Sequence, residues 1–300
     1  MTILLIGSEG FIGSHCKAFF RLHGHEVMCC DVEERQEDNY ISKSTLGSEY
    51  SMLFEGRKID ICINAAGSAN VAYSYEFPER DFELNVALVI NLLGAIKNHA
   101  PECKFINLSS AAVYGNPKTL PIREMDDLKP LSPYGYHKML SEKLLSEYSY
   151  FFGLRTCSLR VFSAYGPGLK KQLFWDLYQK SKNSSVIRLF GTGNESRDFI
   201  YIDDLVSAID LLIKFGNFRG ETINVASGNE SLISEAASIF ANGFDHIERV
   251  DFTGESKMGD PVNWKADISK LRELQFKPRI TLKEGVENYI QWLTNLGREL

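Results

Sequence analysis

Thr2-Ile3-Leu4-Leu5-Ile6-Gly7-Ser8-Glu9-Gly10-Phe11-Ile12-Gly13 opens the chain, and its reading decides the fold. Ile3-Leu4-Leu5-Ile6 is apolar throughout, as expected of a strand covered on both faces rather than wetted on one. Apolar residues at helical spacing follow over 11–23. Three glycines separate the two patterns. Gly7 permits a tight turn, Gly10 lets the backbone approach a pyrophosphate, and Gly13 lets the helix pack close to the strand. The amides of Phe11 and Ile12, at the start of the helix, then face the anion. A strand, a glycine turn and a helix in this order are the context in which a dinucleotide is held.

Working outward, apolar runs at 26–30, 60–64, 104–108 and 156–161 read as further strands. Helical patterns at 81–98 and 133–152 lie among them. Strand and helix in alternation imply right-handed crossovers and an α/β fold with a doubly wound parallel sheet. The later chain is less regular. It predicts a short strand at 199–202, a helix over 205–215 capped by Asp203 or Asp204, a strand at 222–225, a short helix capped by Asp267 and a closing amphipathic helix over 283–296. Two parts are expected: a dinucleotide-binding domain over 1–162 with roughly 198–218, and a smaller α/β substrate domain over 163–197 and 219–300.

Composition agrees. The 300 residues are 44% hydrophobic and 24% charged, which excludes disordered, collagenous and coiled-coil classes. A formal net charge of −6 gives no electrostatic pull toward nucleic acid or an anionic membrane. No apolar run approaches the ~18 residues of a membrane span, and the start lacks the pattern of a secretion signal. The six cysteines have no CxxC spacing and read as reduced, buried thiols, so a cytoplasmic protein is expected. The six histidines show no metal-ligand spacing, and no metal is expected.

Asp31 ends the second strand. A carboxylate there accepts both ribose hydroxyls of an adenosine and repels a 2′-phosphate. The nearest arginine, Arg35, stands among Glu33, Glu34 and Glu37. NAD is therefore expected rather than NADP.

The chemistry points to Ser110, Tyr134 and Lys138. Ser110 follows the strand at 104–108, at the carboxyl end where ligands bind in open α/β sheets. Tyr134 and Lys138 are four apart, so on a helix they share a face and set an ammonium beside a phenol. The cation and a positive nicotinamide favour phenolate. A shift of about three units from ~10 is worth ~4 kcal/mol and gives a general base usable near neutrality. Ser110 can donate a hydrogen bond to the substrate oxygen as charge moves there.

With these residues in place the chain resembles the extended short-chain dehydrogenase/reductase family, the nucleotide-sugar epimerases and dehydratases. Further matching stretches are Asn64-Ala65-Ala66-Gly67, Asn85-Val86, Ser109-Ser110-Ala111-Ala112-Val113-Tyr114-Gly115, Tyr165-Gly166-Pro167-Gly168, and Gly191-Thr192-Gly193 leading to Arg197-Asp198-Phe199-Ile200-Tyr201-Ile202-Asp203-Asp204. The resemblance covers nearly the whole chain. It implies that Ser110, Tyr134 and Lys138 are catalytic, that Lys138 also holds the nicotinamide ribose, and that Ala65, Ala66, Gly67 and Asn85 line the cofactor. It implies a nucleotide-diphosphate sugar as substrate, with Arg197 clamping the diphosphate and Tyr114 in the sugar pocket. The helices at 81–98 and 133–152 match those that pair in the family's homodimers.

The departures bear on function. The segment between Asp31 and Asp60 is short, with 39–42 as a reduced third strand. Ser163 stands where many relatives carry an Asn that touches the diphosphate. Lys171 follows as a source of phosphate charge, and Lys257 replaces a common arginine. Ala111 and Ala112 occupy the place of the Asp-Glu pair of the family's 4,6-dehydratases, so plain oxidation and reduction at one carbinol is favoured. An NAD-dependent epimerase, acting at C4, is the expected activity. A nucleotide-ketosugar reductase or a decarboxylase of the same family stays open. So does an NAD-sensing protein without chemistry, although such a chain would be expected to have lost part of the Ser-Tyr-Lys set. Trp175 and Phe174 are better read as core than as a stacking platform for the base.

Overall fold

The structure is a computed structural model, and it describes residues 1–42, 50–255, 259 and 261–298. Its first half is the alternation the sequence predicts: β1 (Thr2–Ile6), α1 (Phe11–Leu22), β2 (Glu26–Asp31), β3 (Tyr40–Ser42), β4 (Ile61–Asn64), α2 (Val71–Glu76), α3 (Pro78–Phe82), α4 (Leu88–His99), β5 (Lys104–Ser110), α5 (Pro133–Phe152) and β6 (Thr156–Val161). The second half adds β7 (Ser163–Tyr165), α6 (Gln172–Ser181), β8 (Val186–Leu189), β9 (Ser196–Tyr201), α7 (Ile202–Phe215), β10 (Arg219–Val225), β11 (Glu230–Leu232), α8 (Ile233–Ala241), β12 (Arg249–Phe252), α9 (Ser269–Glu273) and α10 (Leu282–Arg298).

Seven strands form one parallel sheet in the order β10-β6-β5-β4-β1-β2-β3. The period-2 geometry of a strand explains the apolar run that opens the chain. Ile3 and Leu5 join the core that contains Cys16 and Phe20 of α1 and Leu205, Ile209 and Leu212 of α7. Leu4 and Ile6 join the opposite core, with Leu88, Leu92 and Ile96 of α4 and Leu145 of α5. The first of these cores continues past the sheet into the second half, where the rings of Tyr165, Phe174, Phe199, Phe240 and Tyr289 pack edge to face, tilted and, between Phe174 and Phe240, stacked. Phe174 is part of that core, and Trp175 packs on Tyr178 and Trp292. A three-strand sheet, β11-β9-β7, and the pair β12-β8 complete the smaller part.

Several boundaries differ from the sequence reading. The helix expected over 81–98 is α3, a wide π turn at Glu83–Ala87, and α4. Turns of this kind recur at functional sites, and this one carries Asn85. Neither Asp203 nor Asp204 caps α7. Tyr201 holds the N-cap position, and the Asp204 carboxylate instead accepts from the backbone amides of Arg279 and Ile280. Residues 219–225, grouped above with the substrate part, pair with β6 in the large sheet, because their apolar alternation completes its edge. The reduced third strand is present: Tyr40–Ser42 pairs in parallel with the end of β2. Among the described residues no helix is long and apolar enough to cross a membrane.

Candidate active site

The site lies at the carboxyl ends of β1, β2, β4 and β5. Gly7 has φ +78°, and a Cβ there would lie 2.5 Å from the Ala66 nitrogen. A Cβ on Gly13 would lie 1.9 Å from the Gly7 carbonyl, so α1 sits against β1 only because that atom is missing. No side chain caps α1, which leaves the first-turn amides, those of Phe11 and Ile12 included, without a capping acceptor and Gly10 exposed above them. Asp31 is fixed by accepting from the amides of Glu9 (2.8 Å) and Val32 (2.7 Å). The cradle and its acidic end fit a dinucleotide of the NAD type.

The loop after β4 joins this cradle to the chemistry. The Ala65 amide continues the ladder by donating to the Ile6 carbonyl, and the Ala66 amide donates to the Asn64 side chain. Gly67 has φ +129°. A Cβ there would come within 2.7 Å of the Asn85 side-chain oxygen and 3.5 Å of Lys138 Nζ. Gly67, Asn85 and Lys138 thus share one corner. Asn85 is buried, and neither atom of its amide has a hydrogen-bond partner. Such unpaired buried groups are rare and need a reason. Ligand atoms entering this corner would supply one.

Ser132 caps α5 by accepting from the Gly135 amide at 3.1 Å, with Pro133 at the first helical position. A Cβ on Gly135 would lie 2.6 Å from the Ala112 carbonyl, so α5 starts hard against the turn that follows Ser110. This closeness brings the Ser110 hydroxyl, whose Oγ accepts from the Ala112 amide, near enough to the Tyr134 phenol to favour its ionised form. Lys138 Nζ donates to the Leu108 carbonyl at 2.9 Å and lies 5.9 Å from the Tyr134 ring centre.

The charge balance differs from the expectation of a phenol lowered by its lysine. Burial pushes Tyr134 up to about 12, with the Ser110 contact pulling the other way and the Asp81 carboxylate adding to the rise. Burial lowers Lys138 to about 8, partly countered by Asp81 and reinforced by Lys171. The ammonium is aimed at a strand carbonyl rather than at the phenol oxygen, and desolvation outweighs its field.

The substrate-side candidates are placed less evenly. A Cβ on Gly168 would meet His15 and Phe11, so the Gly166–Gly168 turn lies over the start of α1. Ser163 is half-buried at the start of β7 just before this turn, and Lys171 stands just after it at the N-cap of α6. Burial lowers the Lys171 amine, and its charge reaches Lys138. Arg197 lies on β9, half-buried, with its guanidinium 5.5 Å over the Trp264 ring and bonded to the Ser196 and Val262 carbonyls. Tyr114 is a correction. It is 1% exposed, and its hydroxyl donates to Asn224 (2.6 Å) and accepts from Arg160 (2.8 Å). That hydroxyl belongs to an internal network, not to an open sugar pocket. Lys257 lies outside the described residues.

Sequence reading missed that network. Arg160 grips Glu142 with two nitrogens, at 3.0 and 2.7 Å, and Ser109 donates to the same carboxylate at 2.6 Å. The signal was available: Glu142 lies four residues beyond Lys138 on one helix face, and Arg160 interrupts an otherwise uncharged strand that is buried throughout. It also missed Asp198, a buried carboxylate that gathers the amides of Ser227, Gly228 and Ala266. Among the described residues no group of histidine, cysteine or acidic side chains could hold a metal.

A dinucleotide cradle, a Ser-Tyr-Lys set at a strand end and an arginine held over Trp264 on a second part are the combination of the extended short-chain dehydrogenase/reductase class. Residues 3–226 match the NAD dependent epimerase/dehydratase family, and the chain belongs to it. It is 29% identical to a putative UDP-glucose 4-epimerase of Methanocaldococcus jannaschii, over 99% of each chain. Among solved structures it is similar to the UDP-glucuronic acid 4-epimerase of Bacillus cereus in complex with UDP-glucuronic acid and NAD, with a TM-score of 0.89, 28% identity, and coverage of 99% of this chain and 100% of that one. It is likewise similar to the UDP-glucose 4-epimerase of Thermotoga maritima with UDP-glucose, with a TM-score of 0.89, 25% identity and 99% of each chain.

Proposed function

We infer that this chain is an NAD-dependent nucleotide-sugar 4-epimerase, acting on a uridine-diphosphate sugar. The observation that carries the reading is the grouping of Tyr134 and Lys138 on the start of α5, packed hard against the turn after Ser110, with Ala111 and Ala112 next in the chain, side chains that can neither give nor take a proton. One acid/base group at a carbinol suits oxidation and its reversal, not loss of water. Relatives over the full length carry the same activity in their names.

NAD, when bound, supplies the hydride acceptor and a positive charge beside the phenol. Tyr134 takes the proton of the C4 hydroxyl and returns it to the product. Ser110 donates a hydrogen bond to the same oxygen. Lys138 holds the cofactor's ribose. Arg197, Lys171 and Ser163 hold the diphosphate, with the guanidinium fork suited to paired phosphate oxygens. Residues 1–162 with 202–225 form the cofactor part in this reading, and 163–201 with 226–298 the sugar part. Helices α4 and α5, which expose Ile90, Tyr136, Tyr150 and Phe151, make the face of a homodimer. The six free, buried thiols suit the reducing cytoplasm.

The test is to incubate purified protein with UDP-glucose, UDP-glucuronate and UDP-N-acetylglucosamine without added cofactor. Formation of a 4-epimer with no net NADH is expected. Turnover that needs added NADH and a ketosugar, or release of carbon dioxide from the uronate, would replace the epimerase reading with reductase or decarboxylase.

A further inference from the structure

Glu9 stands inside the glycine turn, where its side chain has only 11% exposure. Its backbone amide donates to Asp31 Oδ2 at 2.8 Å, so the two acidic residues share one corner at the adenosine end of the cradle. The Glu9 carboxylate is heavily engaged. One oxygen lies 2.5 Å from Lys17 Nζ and accepts from the Ser8 hydroxyl at 3.2 Å, and the other lies 3.4 Å from Arg35 Nε. Arg35 is held on its outer side by Glu33 at 2.9 Å. Lys17 also faces Glu37 at 3.7 Å, and Glu37 pairs with Arg21. The Tyr40 hydroxyl, which donates to the Glu33 carbonyl, closes the corner. Among the described residues, Lys17, Arg21 and Arg35 near this corner are thus each paired with a glutamate.

A ribose that reaches Asp31 brings its 2′ position to this corner. A 2′-phosphate there carries roughly two negative charges. It would face Asp31 and Glu9 together, and the guanidinium of Arg35 is already paired with Glu9 and Glu33. We propose that Glu9 is a second determinant of cofactor choice: it excludes NADP by its own charge and by holding Arg35 away from the 2′ position. Asp31 supplies the hydroxyl contacts. Glu9 keeps the neighbouring cations from rewarding a phosphate. The inference concerns the dinucleotide alone and holds whichever sugar is epimerised.

The experiment measures NAD and NADP affinity by calorimetry on protein stripped of nucleotide, so no sugar substrate is needed and its outcome is separate from that of the activity assay. Glu9→Gln is expected to tighten NADP by about tenfold, which corresponds to ~1.4 kcal/mol, while NAD changes by less than about threefold. Arg35→Ala alone should leave the NADP-to-NAD ratio where it was. The double variant should lose much of the gain seen in Glu9→Gln, because part of that gain is the released guanidinium. A ratio in Glu9→Gln within twofold of the parent overturns the proposal. Equal loss of both cofactors also overturns it, since Glu9 would then only brace the turn. If the Gln variant does not fold, Glu9→Ser is read by the same criteria.

Discussion

His137 Nδ1 lies 2.7 Å from Asp81 Oδ2, which joins α5 to α3 directly beside Lys138. Asp81 is fully buried, its second oxygen has no partner, and the His137 ring meets Phe82 edge-on at 5.5 Å. Its charge is felt by both Lys138 and Tyr134, raising each. Lys171 acts on the same ammonium with opposite sign, and Glu142 with the same sign as Asp81.

Asp81→Asn should therefore move the pH profile rather than only scale it. With the carboxylate gone, Lys138 titrates below its present value of about 8, and the phenol is also easier to ionise. Both limbs of the kcat profile should shift to lower pH, by roughly half a unit to one unit for a single nearby charge. A profile of unchanged position with uniformly reduced kcat would mean that Asp81 serves packing alone.

Lys138 holds a charge where burial disfavours it, and this predicts a trade between stability and function. Its folded value, about 8, is below the ordinary 10.5. The lysine's contribution to stability is thus present only above 10.5 and is lost as pH falls through 8. At pH 7 the buried ammonium costs about 3 kcal/mol. Lys138→Met removes that cost and loses the bond to the Leu108 carbonyl, worth about 1 kcal/mol. The net gain of about 2 kcal/mol corresponds to a Tm rise of about 4 °C at pH 7 in the cofactor-free protein. The gain should shrink as pH rises from 8 toward 10.5. A variant that melts lower than the parent at pH 7, or whose advantage is the same at pH 10, would contradict the sign.

Much of this site was legible in the sequence because backbone geometry dictates it. Gly7 and Gly13 are required by contacts that leave no room for a Cβ, and Tyr134 and Lys138 share a face by helical period alone. The strand at 156–161 and the helix at 133–152 are found at the expected residues for the same reason. What escaped depends on contacts between residues far apart in the chain. Whether Tyr114 faces a sugar or the interior is decided by Arg160 and Asn224, which no local pattern brings together. Without the positive nicotinamide, burial, which spacing does not report, outweighs the neighbouring cation at Tyr134. The capping role expected of Asp203 or Asp204 gave way to a long-range bond from Asp204 to the segment before α10.

Tyr134→Phe separates the proton-transfer role from binding. The phenol stands at the start of α5 beside Ser110, while the cradle of Gly7, Gly13 and Asp31 is built from other elements. Turnover should fall by at least about 10²-fold, the lower range for a positioned acid/base group. NAD affinity measured by calorimetry should change by less than about threefold. Activity near the parent level would remove Tyr134 from the mechanism.

Arg197→Ala tests the division of labour between the two halves. The guanidinium rests 5.5 Å over Trp264 and is steadied by the Ser196 and Val262 carbonyls, on the smaller sheet rather than in the cofactor cradle. A fork held by an aromatic face is preorganised for a diphosphate. Removing it should weaken binding of a UDP-sugar by about 10- to 100-fold, as expected for loss of a charge-assisted hydrogen-bonded contact of ~1.5–3 kcal/mol. NAD affinity should stay within about twofold. The change should fall mainly on KM, because the diphosphate is gripped equally in the ground and transition states. Equal losses for NAD and the UDP-sugar would show that Arg197 supports the structure of the cleft as a whole, and an unchanged KM would move the diphosphate clamp to Lys171 and Ser163.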